Sequence, residues 1–288
     1  MPQLVLLLST LIWGATFPAT KAALEQITTL NFLFIRFLVG AGLALALVLM
    51  VSGRLGFERD LLRRAAIATL WLFLGYITQT LGLESTTASN SAFITTFYVV
   101  LVPLFMLRFD WQTWSAAGLA VMGLWFLINP SQSINVGDLW TLACAAAFAA
   151  HIACLERYTR EGDAWSLFVW QMIFVTVLFG LTLLWEPKPL SGLGATRVLL
   201  TAFVVTGVLA TGAFAVQIWV QQKLPAQKVA LIFALEPVYA AWLAWYFLGE
   251  QLGLRGWIGS ALVLTAVVLG SLSFSSMQTA VVTRPVSQ

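Results

Sequence analysis

Apolar residues in this chain run in long blocks and do not alternate with polar ones. Charges, Gly, Pro and polar clusters divide the blocks into ten stretches, at 3–23, 30–51, 66–84, 89–108, 112–129, 137–156, 165–185, 199–222, 227–248 and 254–274. About 20 mostly apolar residues in a helix cross the ~30 Å hydrocarbon layer of a bilayer. The pattern therefore predicts an all-α membrane protein of ten transmembrane helices with short loops and no room for a soluble domain. Period-two alternation is absent, which argues against a barrel. The first stretch starts at Gln3 with no basic segment before it and carries Pro18 and Lys21 where a cleavage site would need small residues. It reads as a retained helix rather than a cleaved signal peptide.

Composition sharpens this picture. Of the 288 residues 60% are hydrophobic and only 9% charged, where a soluble domain carries about 25% charged residues. A soluble enzyme, a disordered chain and a nucleic-acid binder are excluded, and the lipid bilayer becomes the first expected partner. The formal charge of +3 belongs to loops, where it sets orientation. With the N-terminus in the cytoplasm, the inside holds Arg54, Arg59, Arg63, Arg64, Arg108, Arg157, Arg160, Lys223, Lys228 and Arg284. The outside then holds Lys21, Lys188, Arg197 and Arg255. The bias predicts that both termini are cytoplasmic. Cys144 and Cys154 share one expected helix, ten residues and about 15 Å apart. That is too far for a disulfide, so they read as small packing residues.

The chain also resembles itself. A shift of 135 residues brings Trp13-Gly14 onto Phe148-Ala149 and Arg36 onto Gln171. A shift of 138 brings Gln79 onto Gln217, Ala92 onto Ala230, Ile94 onto Ile232 and Tyr98 onto Glu236, and at 143 Trp114 meets Trp257. Five helices is an odd number, so the second half would enter the membrane in the opposite sense to the first. The expected units are a repeat over 1–130, an inverted repeat over 131–276 and a cytoplasmic tail over 277–288. Inverted repeats are the plan of many secondary transporters.

The motifs carry a resemblance to a known family. Ile12-Trp13-Gly14-Ala15-Thr16-Phe17, Arg36-Phe37 and Phe97-Tyr98-Val99-Val100-Leu101-Val102-Pro103 resemble the pattern of EamA-type transporters of the drug/metabolite transporter superfamily. So do Glu236-Pro237 and Phe247-Leu248-Gly249-Glu250. The resemblance spans nearly the whole chain. It implies ten helices, inverted repeats and movement of a small metabolite or drug, without naming one solute. Together with the compact loops it also suggests a bacterial inner membrane.

Polar groups inside the apolar stretches are the functional candidates. Glu236 lies mid-span beside Pro237, and an ionisable group at that depth is costly and by default functional. Pro237 also frees the Phe233 carbonyl from its helical hydrogen bond. Glu236 is the coupling candidate, for a proton or a cation; the alternative is a protonated acid that only packs. Ser91, Thr95 and Tyr98 share one helical face and line either a solute path or a neighbouring helix. Gln79, on a face with Tyr76, and Gln217, near Trp219, suit a polar or zwitterionic solute, or else bond backbone carbonyls. Trp13 lies deep on a face with Thr10 and Phe17 and is read as a cavity wall or as packing beside Gly14. His151, the single histidine, is a proton or solute contact, or a satisfied core residue. Arg36 either snorkels to the outer interface or contacts an anion. No His/Cys/Asp cluster has ligand spacing and no Walker-type phosphate loop is present, so neither a metal nor another cofactor is expected.

The leading expectation is a secondary transporter of an amino acid, a related amphipathic solute or a drug, exporting it by alternating access with protons as a coupling ion. The alternatives are a membrane-embedded scaffold or sensor, or an intramembrane enzyme, for which no nucleophile–base pair is visible. Small-residue motifs serve internal packing as well as dimer contacts, so oligomeric state is open.

Overall fold

The computed structural model describes residues 2–107, 110–127, 135–190, 194, 196–251 and 253–282. Arg108, Arg284, the 130/131 repeat boundary and the tail beyond Val282 lie outside them. The described residues are 84% helix, with no strand among them. Hydrocarbon offers the backbone no hydrogen-bond partner, so a chain this apolar must bond its amides within each segment.

The helices are α1 (Pro2–Ala23), α2 (Thr29–Ser52), α3 (Arg59–Ser85), α4 (Ala88–Thr95), α5 (Tyr98–Phe105), α6 (Trp111–Leu127) and α7 (Val136–Tyr158). They continue as α8 (Ala164–Thr182), α9 (Arg197–Phe203), α10 (Ala210–Gln221), α11 (Ala226–Phe233), α12 (Glu236–Leu248) and α13 (Leu254–Val282). A π-helical turn, Val204–Leu209, joins α9 to α10. Among the described residues, eight segments are long and apolar enough to span a membrane: α1, α2, α3, α4–α5, α7, α8, α9–α10 and α11–α12. The fifth and tenth expected spans correspond to α6, described over 17 residues, and α13, whose apolar stretch is described over Leu254–Leu269, and the two pack together.

Several boundaries differ from the reading of the sequence. Helix α3 starts at Arg59, so the basic run expected in a loop is largely helical. There Arg64 pairs with Asp60 at 2.7 Å and with Glu161 at 3.0 Å. Lys228, also expected in a loop, is a buried residue of α11. Helix α13 continues through 277–282, where the tail was expected to begin.

The fourth and ninth expected spans are each broken in the middle. Between α4 and α5 the ladder tightens to i→i−3 bonds, Thr96 N–H to Phe93 C=O at 3.0 Å and Phe97 N–H to Ile94 C=O at 3.1 Å. Between α11 and α12 the same occurs, Ala234 N–H to Leu231 C=O and Leu235 N–H to Ile232 C=O, both at 3.2 Å. Pro237, the second residue of α12, has no N–H to continue the ladder. At the other break Thr96 Oγ1 donates to the Ala92 carbonyl at 2.8 Å. Such back-bonding bends helices without a proline.

Remote carboxylates hold the N-termini of both broken spans. Glu250 accepts from the Ala88 N–H at 3.1 Å and from the Ser89 N–H and hydroxyl. Glu156 accepts from the Ala226 N–H at 2.8 Å. Acids are favoured at helix N-termini.

The two largest of four apolar clusters make up most of the interior. One gathers α5, α6, α11 and α13 around Tyr98, Leu124, Ile232 and Val263. The other gathers α2, α3 and α8 around Leu33, Leu72, Phe168 and Phe179. Trp13 and Phe148 pack against both. Helix α1 lies against α12 and α10, and Gly14 sets its approach to α12. A Cβ there would stand 2.7 Å from Tyr239 Cβ and 2.8 Å from the Glu236 carbonyl oxygen. Those neighbours belong to a backbone and a Cβ and cannot swing away, so Gly14→Val should destabilise by about 1–3 kcal/mol. It should lower the thermal midpoint in detergent, whereas Gly42→Ala, where nothing lies within 4 Å of the new Cβ, should leave it unchanged.

Candidate functional site

The two helix breaks deliver Tyr98 and Glu236 as the first residues of α5 and α12, and both line one buried cavity. Helix α3 adds Leu72, Tyr76 and Gln79, spaced i, i+4, i+7 on one face. Helix α7 adds Phe148 and His151, α10 adds Phe214 and Gln217, and α1 adds Trp13, Thr16 and Phe17. The cavity measures about 50 Å³, room for a few water molecules. A metabolite-sized ligand needs a pocket several times larger, so in this conformation the site is nearly closed.

Its polar groups differ in how far they are satisfied. His151 Nε2 lies 2.9 Å from Gln171 Oε1, and the Gln171 amide donates to the Leu167 carbonyl at 3.3 Å. His151 is thus a bonded core residue that also faces the cavity. Gln217 donates to Gln221 at 2.9 Å, which donates to the Ile152 carbonyl at 2.9 Å. That chain replaces the backbone bond considered for Gln217. Gln79 makes no side-chain hydrogen bond to a described residue and faces the cavity. The Trp13 indole N–H is buried and unbonded. The Tyr98 hydroxyl lies against the Glu236 carboxyl without a partner at hydrogen-bonding geometry. Glu236 is 7% exposed, and none of the ion pairs among the described residues involves it.

Arg36 does not reach the interface. It is 4% exposed, and the lipid-facing positions of α2 are its neighbours Leu38 and Val39, 50% and 38% exposed. Its guanidinium lies 4.9 Å from the Phe37 ring and 4.5 Å from the Tyr76 ring. It lines a second, smaller cavity that shares Trp13, Tyr76 and Phe214 with the first and is closed by Thr206 of the π turn. π turns recur at functional sites. Ring faces return about 2 kcal/mol to a desolvated cation, against several for burying the ion. Tyr76 is within electrostatic reach of both Arg36 and Glu236.

Two expected site residues lie elsewhere. Thr95 faces α7, where its hydroxyl is 3.8 Å from Cys144 Sγ; Ser91, on the same face, lies 3.4 Å from the Thr141 hydroxyl. The Ser/Thr stripe therefore bonds helix to helix, and only after the break does Tyr98 turn into the cavity. Trp219 follows Gln217 by two residues, which places it on the far side of α10. There its ring carries the Lys223 ammonium at 3.9 Å. Both cysteines are free. The apolar walls Leu72, Phe148, Phe214 and Phe233 were not anticipated. Their signal was periodicity: each sits three or four residues from a predicted polar lining residue on its own segment. No group of three His/Cys/Asp/Glu able to hold a metal occurs among the described residues.

Fold and site together define a multi-pass helical membrane protein with a polar-studded, aromatic-walled cavity at its centre. The EamA-like transporter family matches residues 1–129 and 135–272, and the chain belongs to that family of membrane transporters. It is similar to an uncharacterized transporter of Archaeoglobus fulgidus, 33% identical over 94% of this chain and 85% of the other. It is also similar to the uncharacterized transporter YoaV of Bacillus subtilis, 24% identical over 92% and 95%. A solved crystal structure 15% identical to it superposes with a TM-score of 0.76 over 94% of this chain and 98% of that one, which shows a shared fold.

The bonding pattern separates support from function. Gln171→Leu strips His151 of its partner, and a buried polar group left unsatisfied costs about 1–3 kcal/mol. Gln79→Leu removes an amide that bonds no described residue and should cost less. Thermal midpoints of the two variants in detergent check this order.

Proposed function

We propose that this transporter moves a small amphipathic metabolite by alternating access between two inverted five-helix halves, residues 1–130 and 131–276, ten crossings in all. The carrying observation is the pair of helix breaks. Helices α4 and α11 start at Ala88 and Ala226, and α5 and α12 at Tyr98 and Glu236. Both pairs are 138 residues apart, the shift that aligns Gln79 with Gln217 in sequence. Discontinuous helices facing a central site are a recurring device of secondary transporters. The positive-inside bias supports cytoplasmic termini, and the resemblance suggests a bacterial inner membrane.

Glu236 is the coupling residue in this reading. The groups facing it are Tyr98 from α5, Tyr76 from α3, and Cys144 and His151 from α7. None of them carries a fixed charge, so one carboxyl serves in turn a proton and a cationic group of the solute. Alternate occupancy of one carboxyl gives antiport, and an inward proton gradient then drives the solute outward. The solute path comprises Trp13, Tyr76, Gln79, Tyr98, His151, Gln217 and Glu236.

Flux of a labelled panel of amino acids, nucleosides, sugars, polyamines and hydrophobic cations, measured in proteoliposomes with and without a pH gradient, tests this. The expected result is saturable flux of one class that rises with an opposing proton gradient. In Glu236→Gln that pH dependence should vanish while folded protein remains in the bilayer. An unchanged pH dependence in the variant would remove Glu236 from the coupling role.

A further inference from the structure

We propose that Arg36 is a carboxylate-binding subsite, so that the transported solute carries a carboxylate that docks beside Trp13, Tyr76 and the π turn. The inference rests on the transporter reading and deepens it. A guanidinium keeps its charge at any pH the protein meets, and this one is buried in a membrane-spanning helix. A buried cation is ordinarily paired. The ion pairs that Arg64, Arg157 and Arg160 make do not include Arg36. Arg36 lies over the rings of Phe37 and Tyr76 and within reach of the neutral Tyr76 hydroxyl, but among the described residues no anion pairs with it, and its buried Nε–H has no acceptor.

The surroundings suit an arriving anion better than a resident one. The space at Arg36 is about 10 Å³, the volume of one water, enough to seat the edge of a head group but not the body of a solute. It adjoins the larger cavity through Trp13, Tyr76 and Phe214, so a ligand whose head group reached Arg36 would have its remainder among those rings. The planar guanidinium accepts a carboxylate through two parallel N–H···O bonds. Glu236, within electrostatic reach of the same Tyr76, offers the opposite charge when ionised, and a solute carrying both an anionic and a cationic group would bridge the two. The Gly207 Cα stands against α2, where an added Cβ would meet the Arg36 carbonyl oxygen at 3.3 Å. The π turn is therefore in direct register with the residue it shields.

The test uses ligands that share one body and differ in charge: phenylalanine, phenylpropionate, phenylalaninamide and phenethylamine, with the leucine counterparts. Binding is read by thermal shift of the whole protein in detergent, in chloride and in gluconate buffers, and flux is read in proteoliposomes. The expected result is at least a tenfold preference for members bearing a carboxylate over their amides and amines. That preference should be lost in Arg36→Gln and weakened in Arg36→Lys, which keeps the charge without the fork. A purely structural Arg36 would lower stability and weaken every ligand equally, leaving the preference intact. Wild-type protein that binds amides and amines as tightly as acids overturns the subsite without recourse to any variant, so a misfolded Arg36→Gln does not rescue it. Stabilisation by chloride that depends on Arg36, with no response to carboxylates, overturns it in favour of an inorganic ion. Carboxylate binding that depends on Arg36 but is accompanied by no flux would uphold the subsite and count against the transport reading.

Discussion

Inside hydrocarbon the backbone has no water to turn to, and each interruption of a helix must be answered by the protein itself. This chain accepts that cost twice, between Thr95 and Tyr98 and between Phe233 and Glu236. At both places the ladder tightens by one residue, and the next helix begins with a polar side chain turned into the interior. The cavity, the two apolar clusters on either side of it and the close seat of Gly14 against α12 follow from where those breaks fall.

Most of the fold was legible because bilayer physics is blunt. Length and hydropathy marked the segments, and eight of them are long and apolar enough to span. The internal shift of 138 residues aligned Tyr98 with Glu236, and each of the two opens a helix after a break. The site was partly legible. Seven of the polar or aromatic residues singled out line the cavity, since a polar group deep in an apolar segment has few other places to go. Thr95 takes the second of its two readings, a contact with the neighbouring α7, because helical periodicity does not carry through the break, and Trp219 lies off the cavity because two residues turn it to the other side of α10. For Arg36, snorkelling to the interface was one of two readings, and it rested on depth along α2 alone. Which face of a helix meets lipid depends on its neighbours, and here Leu38 and Val39 took that position. The apolar walls gave no compositional signal in a chain where most residues are apolar.

The site divides its polar groups into two kinds. His151, Gln217 and Gln221 are tied to partners and hold α7, α8 and α10 in register. Trp13, Gln79 and Arg36 face the cavities with hydrogen-bonding capacity left over. A protein selected for stability alone would keep the first kind and lose the second, because an unsatisfied buried donor is a net cost. Their joint presence around two adjoining cavities is what the proposed solute path rests on.

Glu250 and Glu156 give the architecture a mechanical character. Each grips the first turn of a broken span, α4 in one case and α11 in the other. Ala226 and Glu250 lie at opposite ends of the α11–α12 segment, so the two grips act at opposite ends of the bundle. A beam held at its tip and weakened at its middle does not translate under load; it swings about the weak point. Stiffness thus resides at the rims and compliance at the centre, and a push of a few tenths of an ångström at the cavity becomes leverage at whichever rim lets go first.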